Sequence, residues 1–471
     1  ELRALGHRMV DDMFTYLSSV RTRPAWQPVP QEIKEQLDEA LPLGPTDAAE
    51  VYEEFKRNVL PYPAGNIHPR FWGWVKGTGT PLGMLADMLA SGMNANVSGY
   101  DQSAALVEMQ VIKWLAELLG MPRESGGLLV SGGTVANLVG LTVARNARAG
   151  FDVRERGLQH AAAQRLVLYA STETHSCAQK AIELLGLGNE SLRRIPVNLD
   201  YQIELEALRR TVAADRAAGF KPFCVIGNAG TVNTGALDDL TALAAFCREE
   251  ELWFHVDGAF GALAALAPGL KHLVAGMEEA DSIAFDLHKW MYLPYEVGCI
   301  LVRDERAQRA AFSLTPNYLK PTARGTAAGG LHLAELGVQL SRGFRALKVW
   351  MSLKTHGAEM FGRLIEQNVR QAGYLRELIE ADARLELLAP VSLNVVCFRF
   401  RAAGLSETEL NKLNEELLLR VQESGVAVPS STLLGTSYAL RVANTNHRSR
   451  RSDFELLVKT VAEIGEALLN S

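Results

Sequence analysis

The pair best placed for covalent chemistry in this chain is a lysine beside a histidine at the end of an apolar run. Residues 283–285 lead into Asp286, Leu287, His288, Lys289 and Trp290, with Met291 and Tyr292 following. Most lysines are simply solvated, but these neighbours predict shelter, and shelter shifts an amine toward the neutral form that attacks a carbonyl to make a Schiff base. Asp257 ends a second apolar run, residues 253–256. A helix N-cap is one ordinary use for that carboxylate. If it is buried it needs a partner, and a protonated pyridine nitrogen is a natural one, because aspartate keeps such a ring cationic and able to accept electrons. After residues 128–130 come Ser131, Gly132, Gly133 and Thr134, then Val135, Leu138 and Val139 at helical spacing. This is either a plain strand-to-helix connection or an anion site built from free backbone N–H groups and the helix dipole, with glycine permitting close approach. His175 follows residues 166–169 at a distance of six, and Asn228, Gly230 and Thr231 follow residues 223–226. Each has an ordinary loop role when taken singly. Taken together, an anion cradle, a carboxylate, an amine and an imidazole are the parts that a pyridoxal phosphate site needs.

For these groups to meet, the runs that precede them must be neighbouring strands. The middle of the chain alternates short apolar runs (128–130, 166–169, 223–226, 253–256, 283–285 and 300–302) with amphipathic stretches, which is an α/β pattern. Buried parallel strands read as continuous apolar runs, and their ligands sit beyond the carboxyl ends. Ala105, Met109, Ile112, Ala116 and Leu119 recur at helical spacing, with Gly120 and Pro122 as the stop. Residues 1–80 carry eight prolines and cannot make a core alone, so they are expected to wrap around something larger and to serve dimerisation. Residues 81–350 are expected to form the large cofactor-binding domain. Residues 351–471, with the run 395–400, a helix near 410–421 and an amphipathic C-terminal helix, read as a smaller α+β domain. Residues 321–330, rich in Gly, Ala and Thr, read as a surface loop.

Composition narrows the class. The 471 residues are 48% hydrophobic and 22% charged with a formal net charge of -6, which suits a globular enzyme and argues against a nucleic-acid partner. The short basic cluster His447, Arg448, Arg450 and Arg451 reads as a solvated turn. Five widely spaced cysteines without a CxxC pair predict neither a disulfide framework nor a metal site. No run approaches the roughly 18 apolar residues of a membrane span, and the start of the sequence lacks a signal-peptide core. A cytoplasmic enzyme is expected.

The chain resembles the group II pyridoxal-phosphate-dependent decarboxylases, the family of aromatic-L-amino-acid and glutamate decarboxylases, over nearly its whole length. Asp286-Leu287-His288-Lys289-Trp290 is similar to the family's Asn-Pro-His-Lys-Trp, and His255, Val256, Asp257 and Ala259 match its His-Val-Asp-x-Ala. The resemblance implies that Lys289 anchors the cofactor and Asp257 pairs with the pyridine nitrogen. It implies that Ala259 packs on one ring face and that His175, followed by Ser176, stacks on the ring. It also places Gly133 and Thr134 at the phosphate, His288 close to it, and Thr231 near the ring hydroxyl. Ile67-His68-Pro69-Arg70-Phe71 and residues 84–89 resemble the mouth of the family's substrate pocket. Arg441 matches an arginine that holds a substrate carboxylate in glutamate decarboxylases. The implied fold is PLP-dependent fold type I, aspartate aminotransferase-like, as a homodimer with active sites at the interface.

Decarboxylation of an L-amino acid to a primary amine and carbon dioxide is therefore the expected reaction. Departures from the family pattern bear on the pocket. Asp286 stands for asparagine and Gly258 for alanine, while Asn94 and Asn96 fall where aromatic-acid decarboxylases place apolar groups. Trp72 and Trp74 favour an aromatic substrate unless they are core, whereas Asn94, Asn96 and Lys76 suit a polar or acidic one; the aromatic reading is preferred. Residues 321–333 contain no tyrosine, which the family uses to protonate the substrate carbon. Counting back from Arg345-Ala346-Leu347-Lys348 puts that position at or beside His332, either a proton donor or simply a residue that starts a helix and faces solvent. The alternative outcome is interception by oxygen, giving an aldehyde.

Overall fold

The computed structural model describes residues 1–159, 164–314, 322–326, 328 and 332–470. Two units divide the chain: Leu82–Val369 with Pro390–Leu393, and Glu1–Pro81 with Arg370–Ala389 and Asn394–Ser471.

The first unit is organised by a seven-stranded sheet in the order β1-β7-β6-β5-β4-β2-β3. Its strands are β1 (Gly126–Val130), β2 (Leu166–Ser171), β3 (Leu192–Ile195), β4 (Lys221–Asn228), β5 (Trp253–Asp257), β6 (Ser282–Asp286) and β7 (Gly298–Val302). All five residues of β1, β5, β6 and β7 are buried, as expected for strands covered on both faces. Pairing from β3 through β2, β4 and β5 to β6 is parallel. β7 runs antiparallel to both β6 and β1, because the short connection after β6 returns the chain directly rather than by a long crossover. All six apolar runs read from the sequence lie in strands. β3 was missed: Leu-Arg-Arg-Ile offers two apolar residues only, and as an edge strand it needs no more. Arg193 on it pairs with Asp215 at 2.9 Å.

The helix Gly133–Arg148 follows β1 and crosses the sheet. It lies close because Gly140 has no side chain; a Cβ there would come within 2.7 Å of His255 Cε1. His255, fully buried on β5, ties helix to sheet, with Nε2 2.8 Å from Asn137 Oδ1 and Nδ1 2.7 Å from Ser282 Oγ. Burial holds its pKa down to about 3, so it is a neutral strut. The expected helix with its glycine stop is Ser103–Leu118, and Gly120 at φ 75° lets Met121 N–H reach Ala116 O.

Glu108 of that helix and Arg342 form an ion pair with both side chains 0% exposed. Arg342 also donates to Val97 O at 2.8 Å and Leu129 O at 2.7 Å, while Glu108 Oε1 accepts from Leu129 N–H at 3.1 Å. One pair thus fastens residues 97, 108, 129 and 342 together. Glu108→Ala strands a guanidinium in the core and is expected to cost about 3–5 kcal/mol, read as a lowered denaturant midpoint with an unchanged slope.

In the second unit an antiparallel sheet, β10-β11-β9-β8, is formed by β8 (Leu385–Leu387), β9 (Val395–Phe400), β10 (Ser430–Leu434) and β11 (Ser437–Ala443). The helices Glu407–Glu423 and Arg451–Leu469 belong to the same unit; the first starts on a capping box of Ser406 and Glu409. The proline-rich N-terminal chain joins this unit. Trp72 N–H donates to Val428 O at 2.9 Å, Ala443 N–H donates to Trp72 O at 3.0 Å, and Arg21 pairs with Asp453 at 2.8 Å.

Candidate active site

The carboxyl ends of β5 and β6 and the turn after β1 bring the candidate groups into one corner. Lys289 sits in the single helical turn Leu287–Trp290 that follows β6, three residues after Asp286, so the turn folds amine onto carboxylate: Nζ to Oδ2 is 2.9 Å. The Asp286 carboxyl is 2% exposed, and its Oδ1 is buried without a hydrogen-bond partner. His288 Nε2 lies 3.8 Å from the same carboxylate, and its Nδ1 accepts from Val297 N–H at 3.2 Å. Burial holds the His288 imidazole below its usual pKa, with Asp286 opposing.

The shelter expected at Lys289 is present, since its side chain is 21% exposed, but its expected effect is reversed. Burial alone would lower the Lys289 pKa; the charge and hydrogen bond of Asp286, with Asp257 adding to them, hold it above the ordinary lysine value. In this state the amine is an ammonium. The sequence reading treated the aromatic neighbours and left out the acid one turn back.

Asp257 is 4% exposed. Its Oδ1 accepts from Ala259 N–H at 3.1 Å, and its Oδ2 faces Cys177 Sγ at 3.6 Å. Burial, with Asp257 next in weight, pushes the Cys177 thiol well above its usual value. Cys177 opens the helix after β2, and its N–H donates to His175 Nδ1 at 3.1 Å. His175 is exposed, yet desolvation at its base holds its pKa below the usual imidazole value, Asp257 opposing and Lys289 reinforcing. An imidazole with open surface above a buried carboxylate can lie against a flat ring.

Gly132 and Gly133 open the helix after β1 onto this corner. A Cβ on Gly133 would fall 2.9 Å from Asp286 Oδ2 and 3.7 Å from Ala259 Cβ, and one on Gly132 would fall 3.3 Å from His288 Cε1. Gly133, Asp286, Ala259 and His288 are therefore mutual neighbours around a helix N-terminus. Thr231, 1% exposed, spends its hydroxyl within its own turn, against Thr234 Oγ1 at 3.1 Å and Ala236 N–H at 3.1 Å. The glycine at 258 has a packing reason, because a Cβ there would meet Ala262 Cβ at 2.5 Å.

His332 immediately precedes the short helix Leu333–Leu336, as one of the two readings had it, but it does not face solvent. It is 6% exposed, its ring lies 5.5 Å from that of Tyr100, and its Nε2 has no hydrogen-bond partner. Of the expected loop, Pro321, Ala327, Gly329, Gly330 and Leu331 lie outside the described residues. Asn94 and Asn96 are exposed, and Asn96 Oδ1 accepts from Arg342 N–H at 3.0 Å.

The remaining candidates belong to the other unit. Trp72 is a core side chain, 1% exposed, stacked on Phe454 at 4.7 Å and donating to Ser449 Oγ at 3.0 Å. Its burial argues for packing rather than substrate contact. Trp74 is 55% exposed at φ 56°, with Lys76 Nζ 4.6 Å from its ring. Arg441, on β11, is 3% exposed and donates to Ser430 Oγ at 3.3 Å. No three metal-ligating side chains cluster among the described residues.

A sheltered lysine, a buried carboxylate, a free-faced imidazole and a glycine-opened helix fit the aldehyde, the pyridine nitrogen, the flat ring and the phosphate of pyridoxal phosphate. Asp286, next to the glycine turn, carries a charge that opposes a phosphate there. Residues 30–401 match the family model described as pyridoxal-dependent decarboxylase conserved domain. The chain is 33% identical over 470 residues to the aromatic-L-amino-acid decarboxylase of Bacillus atrophaeus, covering 99% of this chain and 96% of that one. Among solved structures, Oryza sativa TDC with PLP and tryptamine superposes with a TM-score of 0.91 at 28% identity, covering 99% and 98% of the two chains. Rhodiola rosea 4-hydroxyphenylacetaldehyde synthase does so with a TM-score of 0.88 at 25% identity, covering 99% and 98%.

Proposed function

The chain belongs to the pyridoxal-dependent decarboxylase family and is a pyridoxal-phosphate-dependent amino-acid decarboxylase; we propose that it converts an aromatic L-amino acid to the primary amine and carbon dioxide. The observation that carries the residue assignment is the convergence of Lys289, Asp286, His288, Gly133 and Ala259 in one buried corner. The aromatic preference rests on the named relatives.

Bound pyridoxal phosphate supplies an electron sink for the pair of electrons left when the carboxylate departs. The backbone N–H groups at Gly133 and Thr134 hold its phosphate at the positive end of their helix. Asp257 keeps a proton on the pyridine nitrogen. Ala259 and His175 would flank the cofactor, and His175, its pKa held below the usual imidazole value, would orient the substrate carboxylate. Lys289 Nζ would be the anchoring amine, with Asp286 Oδ2 at 2.9 Å to receive or return its proton. Thr231 stays near the ring hydroxyl, its own hydroxyl committed to Thr234. Asn94, Asn96, Trp74 and Arg441 are the side chains for which substrate contact remains a proposal.

His332 delivers the proton to Cα. Its support is a buried, unpartnered Nε2 at or beside the position that the family resemblance assigns to a proton-donating tyrosine, and histidine exchanges protons near neutrality. The same tyrosine-free segment, together with the likeness to an aldehyde synthase, favours a second reading, in which oxygen intercepts the reaction and an aldehyde forms. Incubation with each common L-amino acid, following carbon dioxide, amine and aldehyde together, separates the two. Amine in a one-to-one ratio with carbon dioxide is expected from an aromatic substrate. His332→Phe is expected to lower amine output by roughly 10²-fold or more while substrate binding stays unchanged. Wild-type amine output from that variant would remove His332 from the mechanism, and aldehyde as the main product of the unmodified enzyme would replace the first reading by the second.

A homodimer is part of this proposal. Met88, Leu89, Met93 and Leu106 are apolar side chains 47–60% exposed, and a partner subunit that covers them would remove this apolar surface from water. Sedimentation at two concentrations tests it. Five free, buried cysteines suit a reducing compartment, and the cytoplasm is the proposed location; no helix among the described residues is long and apolar enough to cross a membrane.

A further inference from the structure

The corner contains an anion where the cofactor brings another. Asp286 ends β6 and points across the glycine turn: a Cβ on Gly298 would lie 2.8 Å from its Oδ1, one on Gly133 2.9 Å from its Oδ2, and one on Gly132 3.6 Å from Oδ1. Three glycines thus make room around this carboxyl, beside the helix N-terminus assigned to the phosphate. Oδ2 is taken by Lys289, and Oδ1 is buried with no partner. A carboxylate and a phosphate dianion in such a space repel with little water between them. Lys289 cannot stay as the neutralising cation, because an ammonium has no lone pair with which to attack an aldehyde.

We propose that Asp286 takes the proton of Lys289 when the cofactor enters, and that the resulting carboxylic acid donates a hydrogen bond to the cofactor's phosphate. This rests on the reading above that the phosphate is held at Gly133 and Thr134. The step balances: one N–H bond of the ammonium breaks, its electron pair stays on Nζ as the lone pair of a neutral amine, and an O–H bond forms on Asp286. The Lys289–Asp286 pair begins and ends with no net charge. The orphaned Oδ1 gains a partner, the phosphate meets a donor instead of an anion, and the amine becomes a nucleophile in the same event. The charge of the phosphate is what keeps the proton on Asp286.

Other titratable groups act on this corner: Lys289 and His288 from the following turn, His175 and Cys177 after β2, Asp257 on β5, Cys299 on β7 and Tyr295 before it. Burial keeps both histidines low and both cysteines high, so none of these four changes charge between about pH 7 and about pH 9. The Asp286→Asn variant separates Asp286 from the rest.

The test uses the full chain, stripped of cofactor and titrated with pyridoxal phosphate and with pyridoxal. The affinity advantage of the phosphate compound over pyridoxal is measured between about pH 7 and about pH 9, where the phosphate is a dianion (second pKa about 6). In the unmodified protein this advantage is expected to fall about tenfold per pH unit, since one more proton is held in the phosphate complex. In Asp286→Asn, whose amide N–H donates at every pH, it is expected to be flat. Infrared difference spectra supply the second readout: loading with pyridoxal phosphate adds a carboxylic-acid C=O band in the unmodified protein and none in Asp286→Asn. A flat advantage in the unmodified protein, or the absence of that band, overturns the inference even if the variant fails to fold. Failure of the underlying site reading looks different, because the cofactor then does not bind or borohydride fixes it to a lysine other than Lys289.

Discussion

Lys289→Ala is expected to bind pyridoxal phosphate only reversibly and to lose turnover by at least roughly 10³-fold, about 4 kcal/mol of barrier at about 1.4 kcal/mol per tenfold. The amine contributes in two ways. On the proposed assignment it would tie the cofactor covalently to the corner that holds Asp257 and His175, and it would offer the incoming substrate amine a more reactive carbon than a free aldehyde. Visible absorbance of the purified variant and mass spectrometry after borohydride reduction give the readout. A cofactor still fixed to the chain in the variant would assign the anchor to another lysine, and near-normal turnover would remove the covalent role altogether. The variant should keep its secondary structure, because alanine is a better helix former than lysine in the turn that carries it.

The second large effect is expected at Asp257. Asparagine there keeps an oxygen to accept the Ala259 N–H now donated at 3.1 Å, so the turn after β5 is preserved and cofactor affinity should change by only a few fold. What disappears is the negative charge that holds a proton on the pyridine nitrogen. Loss of one preorganised electrostatic group of this kind lowers kcat by roughly 10²–10³, with KM little changed because the ground state does not carry the developing charge. Rapid-mixing kinetics with the best substrate of the panel measures it. A loss of affinity as large as the loss of rate would make Asp257 a structural residue of the binding site, not the keeper of the ring proton.

Much of the sheet was legible because buried parallel strands must be apolar along their whole length, and the runs at β1, β2, β4, β5, β6 and β7 had that property in isolation. β3 did not, since an edge strand with Arg193 and Arg194 carries the composition of a loop. Lys289 and Asp257 were legible as groups but not as charges. The state of Lys289 depends on an acid one helical turn away, a distance set by the abrupt start of Leu287–Trp290 after β6. Trp72 reads from the sequence as either substrate contact or core, and only the positions of Phe454 and Ser449, nearly 400 residues away in sequence, make it core. Arg342 and Glu108 are separated by 234 residues, and no local pattern in either segment announces the pair.

The thiol of Cys177 gives the site a selectivity of its own. Aldehydes are captured by thiolates as well as by amines, and an enzyme that holds an aldehyde cofactor, and whose relatives release aldehydes, would be poisoned by a reactive sulfur within reach. At 3.6 Å from the Asp257 carboxylate and buried, Cys177 is held in its protonated form, and a protonated thiol is a poor nucleophile. Burial first, and the carboxylate proposed to serve the cofactor's nitrogen second, therefore keep this thiol from competing with Lys289 for an aldehyde.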